Sequence, residues 1–134
     1  MSLTDASVEG RLPARDLDRA RRWYAEKLGL EAAEERPGGL RYVLASGVVC
    51  LFAAQGGSEG LFTQLALYVA DLDAEMAAMR ARGVVFEEYE VPGLTTVDGV
   101  ADVEGNYPSK GRGERAAWFR DSEGNLIGMA ELVR

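Results

Sequence analysis

"DLDRARRWYAEKLG", residues 16–29, reads as one amphipathic helix with both of its ends encoded. Asp16 is suited to accept from the free amides of a first turn, and Leu17, Ala20, Tyr24 and Leu28 recur at helical spacing. Gly29 suits the left-handed residue at which a helix stops. A second stretch, "DLDAEMAAMRARG" at 71–83, repeats the design: Asp71 caps, Leu72, Met76 and Met79 form the stripe, and Gly83 stops it. The two caps lie 55 positions apart (71 minus 16), and repetition on this scale outranks any isolated motif.

The repeat extends beyond the helices. Each "DLD" follows an alternating, strand-like run, "SVEGRLPA" (7–14) in one half and "FTQLALYV" (62–69) in the other. After the glycine stops come "LEAAEE" (30–35), "LRYVLA" (40–45) and "VVCLFAA" (48–54) in the first half. In the second come "VVFEEY" (84–89), "RAAWFR" (115–120) and "NLIGMAEL" (125–132). This is the pattern of two βαβββ modules, at 5–55 and 61–134, with "QGGSEG" (55–60) holding the joint at 56–60, inside a single α+β domain. Residues 90–114 are rich in glycine and polar residues and lack a clear period, as expected of a connection that covers a site or moves.

Composition narrows the function. A chain of 134 residues fits one domain, and 47% hydrophobic with 28% charged residues matches a soluble globular protein. It has neither a long apolar run nor a signal peptide, so no membrane partner is expected and the cytoplasm is the expected compartment. The net charge of −7 argues against nucleic acid. Arg15, Arg19, Arg21 and Arg22 cluster, but Asp16, Asp18 and Glu26 interleave with them, as on a solvated helix face.

Histidine is absent, which removes the usual general base near neutral pH and the commonest metal ligand. The single Cys50 excludes an internal disulfide and multi-thiolate zinc motifs. Flanked by Val48, Val49, Leu51 and Phe52, it reads as a buried, inert thiol.

The opening "DLDRARRWYAEKLGL", the repeated "DLDA" and the terminal "WFRDSEGNLIGM" resemble the vicinal oxygen chelate superfamily of glyoxalases, bleomycin-resistance proteins, extradiol dioxygenases, epimerases and fosfomycin-modifying enzymes. "FEEYEVPGLTTVDGVA" (86–101) resembles a further segment of small glyoxalase-like proteins. The resemblance implies that the two modules form a curled mixed sheet around a cleft. It also implies four strand positions at which the enzymes of the superfamily hold a divalent metal. Carried onto this chain they are Glu9, Cys50, Gln64 and Gly128, of which only Glu9 is a strong oxygen ligand. Gly128 is then read as opening room where an enzyme would place a carboxylate. By alternation Glu131 points away from Gly128 unless a bulge reverses the strand.

The same alternation puts Arg11 and Pro13 with Glu9, leaves Leu12 and Ala14 beneath the first helix, and groups Ala66 and Tyr68 with Gln64. Trp118 is assigned to the cleft face and Phe119 to the opposite one. Glu9, Arg11, Cys50, Gln64, Tyr68, Trp118 and Gly128 are therefore the candidate ligand-binding residues. Two other readings stay open: ordinary core for Tyr68 and Trp118, and a surface charge pair for Glu9 with Arg11. The functional expectation is a homodimeric protein without cofactor that binds a small organic molecule. The alternative is a divalent-metal lyase, epimerase or dioxygenase using Glu9 and Gln64 with Glu131 or Asp98. A third is an interaction module whose sheets mainly build a dimer.

Overall fold

The computed structural model describes residues 2–134. The chain divides into two units: the first runs to Glu59 and takes in Ser122–Asn125, and the second comprises Gly60–Asp121 and Leu126–Arg134.

The first unit holds strand β1 (Glu9–Ala14), helix α1 (Leu17–Trp23) and strands β2 (Glu34–Arg36), β3 (Gly39–Val43) and β4 (Val48–Ala53). Asp16 caps α1 as expected, its carboxylate accepting from the Arg19 amide at 3.0 Å. The helix continues through a π-helical turn, Tyr24–Leu28, and leaves at Gly29, where φ is 68°. The strand order is β1-β4-β3-β2, with β1 parallel to β4 and the remaining pairs antiparallel. Leu12, Ala14, Leu40, Tyr42 and Leu51 line one face under Ala20 and Tyr24 of the helix, and all are buried. Burial of each large side chain contributes on the order of 2 kcal/mol.

The second unit repeats the topology with strand β5 (Leu65–Tyr68), helix α2 (Leu72–Ala81), the short hairpin β6 (Glu90–Val91) and β7 (Leu94–Thr95), and strands β8 (Ala101–Glu104), β9 (Gly113–Arg120) and β10 (Leu126–Val133). Its order is β5-β10-β9-β8, again with one parallel pair, β5 with β10. Asp71 accepts from the Ala74 amide at 3.1 Å. Leu72, Met76 and Met79 of α2 are buried, as are Phe119, Ile127 and Met129 of the sheet. No helix among the described residues is long and apolar enough to cross a membrane.

Three local expectations are corrected. "VVFEEY" is not a strand: it meets β9 only through a Phe86–Phe119 bridge and the Glu87 amide on the Trp118 carbonyl. The fourth place in that sheet belongs to β8, which lies inside the supposedly irregular 90–114 connection and pairs with the other end of β9, Ala101 opposite Ala116. In the first unit "LEAAEE" yields only the edge strand Glu34–Arg36. The arginines of α1 are also not merely solvated. Arg19 grips the buried Glu123 through two nitrogens, at 2.9 and 3.0 Å, and Arg21 bridges Asp18 and Glu35.

Candidate functional site

Strand pairing arranges the uncovered face of the first sheet in cross-strand rows. Glu9 stands opposite Val48; Arg11, Cys50, Arg41 and Glu34 form the next row; Pro13, Phe52, Gly39 and Arg36 form the third. Pleating keeps these residues off the helix-covered face, which is why Leu12, Leu51 and Tyr42 are buried while Glu9 and Arg11 are exposed. A cavity of about 180 Å³ opens on this face, lined among others by Glu9, Arg11, Arg41, Cys50 and Phe52.

The polar groups here have a definite order. Glu9 does not pair with Arg11. Its carboxylate accepts from Arg41 Nε at 3.3 Å and receives the Cys50 thiol at 3.5 Å. Arg41 also reaches Glu34 at 3.1 Å. Arg11 instead stacks its guanidinium over the Phe52 ring, 5.3 Å from the centroid, a cation–π contact.

Cys50 is half-buried rather than buried, because its face of the strand carries Glu9, Arg11 and Arg41 while the apolar Val49 and Leu51 point the other way. Desolvation, reinforced by the hydrogen bond and negative charge of Glu9, pushes its pKa up. The sulfur is held as a thiol, not as a nucleophilic thiolate.

The remaining candidates lie in the second unit. Gly128 stands opposite both Ala66 and Trp118, on the face shared by Tyr68, whereas Phe119 is fully buried on the other side. The room expected over Gly128 is filled. A Cβ there would stand 3.2 Å from Thr63 Cγ2 and 3.3 Å from Trp118 Nε1. Trp118 Nε1 donates to the Thr63 hydroxyl at 3.1 Å, and Tyr89 packs edge-on to the indole.

Tyr68 donates to Glu114 at 3.1 Å and carries the Lys110 ammonium 4.1 Å above its ring. The Gln64 carboxamide oxygen accepts from the Leu126 amide at 2.9 Å, serving the strand rather than open space. Glu131 faces the helix side, accepting from the Leu72 amide at the start of α2 at 3.0 Å. The carbonyl of Asp98 is held by Arg80 at 2.7 Å.

The structure places Glu9, Arg11 and Cys50 on one face of the first sheet, and the sequence reading passed over Phe52, Arg41, Arg36 and Gly39, which share it. Parity was the available signal: once Cys50 is placed on the open face, Phe52 must share it, and the β3–β4 register then carries Arg41 and Gly39 there as well.

Residues 7–129 match the family model of the glyoxalase/bleomycin resistance protein/dioxygenase superfamily. Among solved structures, the chain is similar to a glyoxalase/bleomycin resistance protein/dioxygenase from Alicyclobacillus acidocaldarius, at 16% identity and TM-score 0.71, covering 100% of this chain and 96% of that one. It is similar to TnmS3, an antibiotic binding protein from Streptomyces sp. CB03234, at 22% identity and TM-score 0.64, covering 99% and 100%. It is similar also to a lactoylglutathione lyase from Agrobacterium tumefaciens, at 20% identity and TM-score 0.63, covering 95% and 93%. No curated protein matches. At these identities the structural likeness speaks for the fold alone, and the family model speaks for descent. The duplicated βαβββ topology and a model match that spans nearly its whole length make this chain a member of the glyoxalase/bleomycin resistance protein/dioxygenase superfamily.

Proposed function

We propose that the chain binds a small organic molecule on the uncovered face of its first sheet, without a metal ion. The observation that carries this reading is Phe52. It is the one aromatic ring among the residues that line the cavity of about 180 Å³, and the Arg11 guanidinium lies over it. Concave sites that join an aromatic wall to a few fixed polar groups are what small ligands use. The antibiotic-binding TnmS3 shares the fold, which is consistent with such a role.

The donor chemistry supports the metal-free part. Of the four positions at which the superfamily's enzymes hold an ion, Glu9 is neutralised by Arg41, Cys50 is held as a thiol, Gln64 gives its oxygen to a backbone amide, and Gly128 has no donor. A hard divalent ion takes anionic oxygen ligands, and this set offers one already paired.

Isothermal titration with a panel of one- and two-ring aromatic compounds tests the reading. Binding by the native chain that disappears in Phe52→Ala supports it. Binding by none of the panel, or binding indifferent to the substitution, overturns it. Stoichiometric Mn, Ni, Fe, Co or Zn in protein purified without chelators would overturn the metal-free part. We propose also that the chain forms a homodimer, the commonest closed assembly, which sedimentation would report.

A further inference from the structure

We infer that the molecule taken by this face is a planar monocarboxylate, its carboxylate between the guanidiniums of Arg11 and Arg36 and its ring against Phe52; this rests on the proposed binding role of the same face.

The inference starts from which charges are already satisfied. Three carboxylates line the cavity, Glu9, Glu34 and Glu35, and each has a guanidinium partner: Arg41 for the first two and Arg21 for the third. Two of the three lining arginines, Arg11 and Arg36, make no hydrogen bond or ion pair among the described residues. The site therefore holds two guanidiniums whose N–H donors are unused, while every lining carboxylate already accepts from an arginine. The Cys50 thiol adds no negative charge.

Position agrees with charge. Arg11 holds its guanidinium carbon 5.3 Å from the Phe52 centroid, and none of its N–H groups is taken by an acceptor among the described residues, so they remain available to a carboxylate. Arg36 folds across Gly39, its Nε 3.2 Å and its Cγ 3.4 Å from where a Cβ would stand. A Cβ at Gly39 would make the Arg36 side chain give way by a few tenths of an ångström. Gly39 is the cross-strand partner of Phe52, so the Arg36 side chain lies across the strand next to the one that carries the ring.

Size limits the ligand further. A cavity of about 150 Å³ holds benzene, so the volume here of about 180 Å³ suits one ring bearing a carboxylate. A net charge of −7 repels multiply charged anions more strongly than a single carboxylate, which separates this class from polyphosphates.

Benzoate, benzamidine and benzyl alcohol share a ring and differ in charge, so they serve as probes. Each is titrated into the isotopically labelled chain at low and high salt, following the amide resonances of Phe52 and Gly39. Benzoate is expected to shift both and to weaken with salt. It is expected to lose about five- to tenfold in affinity in Arg11→Gln and in Arg36→Gln, while the other two probes bind at least about tenfold more weakly. Both variants change exposed side chains, and circular dichroism checks that they fold. If benzamidine or benzyl alcohol binds at Phe52 as tightly as benzoate, the carboxylate class is overturned and the binding role stands. If benzoate binds equally well in both variants, or only elsewhere, the class is again overturned. If none of the three moves the Phe52 resonance, this inference falls, and the binding role falls with it when the panel of one- and two-ring aromatics also fails to bind.

Discussion

The indole of Trp118 lies across Gly128, its Nε1 3.3 Å and its Cδ1 3.5 Å from the point where a Cβ would stand. A glycine in the middle of β10 thus serves a neighbouring side chain on β9. Gly128→Ala is expected to cost about 1 kcal/mol by overpacking, because the indole is also held by Thr63 and Tyr89. Urea unfolding reads the loss. A shift in tryptophan emission would accompany it, and unchanged stability would mean that the indole moves aside freely.

Glu123 should govern acid stability. Burial pushes its pKa up, but the Arg19 hydrogen bonds, the Asp16 amide, the Ser122 hydroxyl and the Arg19 charge overcome this and hold it at about 2, against 4.5 for the free group. The folded value lies below the unfolded one, so the stabilisation is full above pH 4.5 and is lost as pH falls toward 2. At neutral pH it amounts to about 3 kcal/mol. Glu123→Gln is expected to lose most of that at pH 7 and to flatten stability across the acid range, measured by denaturation at a series of pH values.

Tyr42 presents the opposite case. Its side chain is 2% exposed, and its hydroxyl is the one buried side-chain polar atom among the described residues that has no hydrogen-bond partner. Burial drives its pKa to about 12. Tyr42→Phe removes the unsatisfied group and keeps the ring packed against Tyr24. It is expected to leave stability unchanged or to raise it by up to about 1 kcal/mol. A loss of more than that in thermal unfolding would reveal a partner for the hydroxyl.

Cys50 is expected to react slowly with iodoacetamide at neutral pH and to accelerate only in alkali, since desolvation and Glu9 favour the thiol. Glu9→Gln removes the nearby negative charge and should speed alkylation at fixed pH, followed by intact-mass spectrometry. Equal rates in the two proteins would show that Glu9 does not hold the proton.

The helices and their caps were legible because the signals are local: Asp16, Gly29 and Asp71 act within one turn of themselves. The pairing of the second sheet was not. "VVFEEY" has the alternation of a strand, with Val84 and Phe86 buried, whereas "ADVE" of β8 buries Ala101 alone. The two segments meet different stretches of β9, β8 at Gly113–Ala116 and Phe86 at Phe119, and burial along either segment does not show which one pairs at length.

Before β8 the chain reverses at a two-residue hairpin, Asp98–Gly99, with φ of 52° and 81°, which folds Val97 back onto Val100. The Asp-Gly pair was the readable sign of it. At the site, alternation along one strand delivered Glu9 and Arg11. Arg36 and Arg41 reach the same face only through register between strands, which no single segment encodes.

Crystals of the chain soaked with small aromatic carboxylates test the central claim most directly. The account predicts density for a ring against Phe52 with its carboxylate between Arg11 and Arg36. Ligand density found only elsewhere, or an ion held by Glu9 and Cys50, would contradict it.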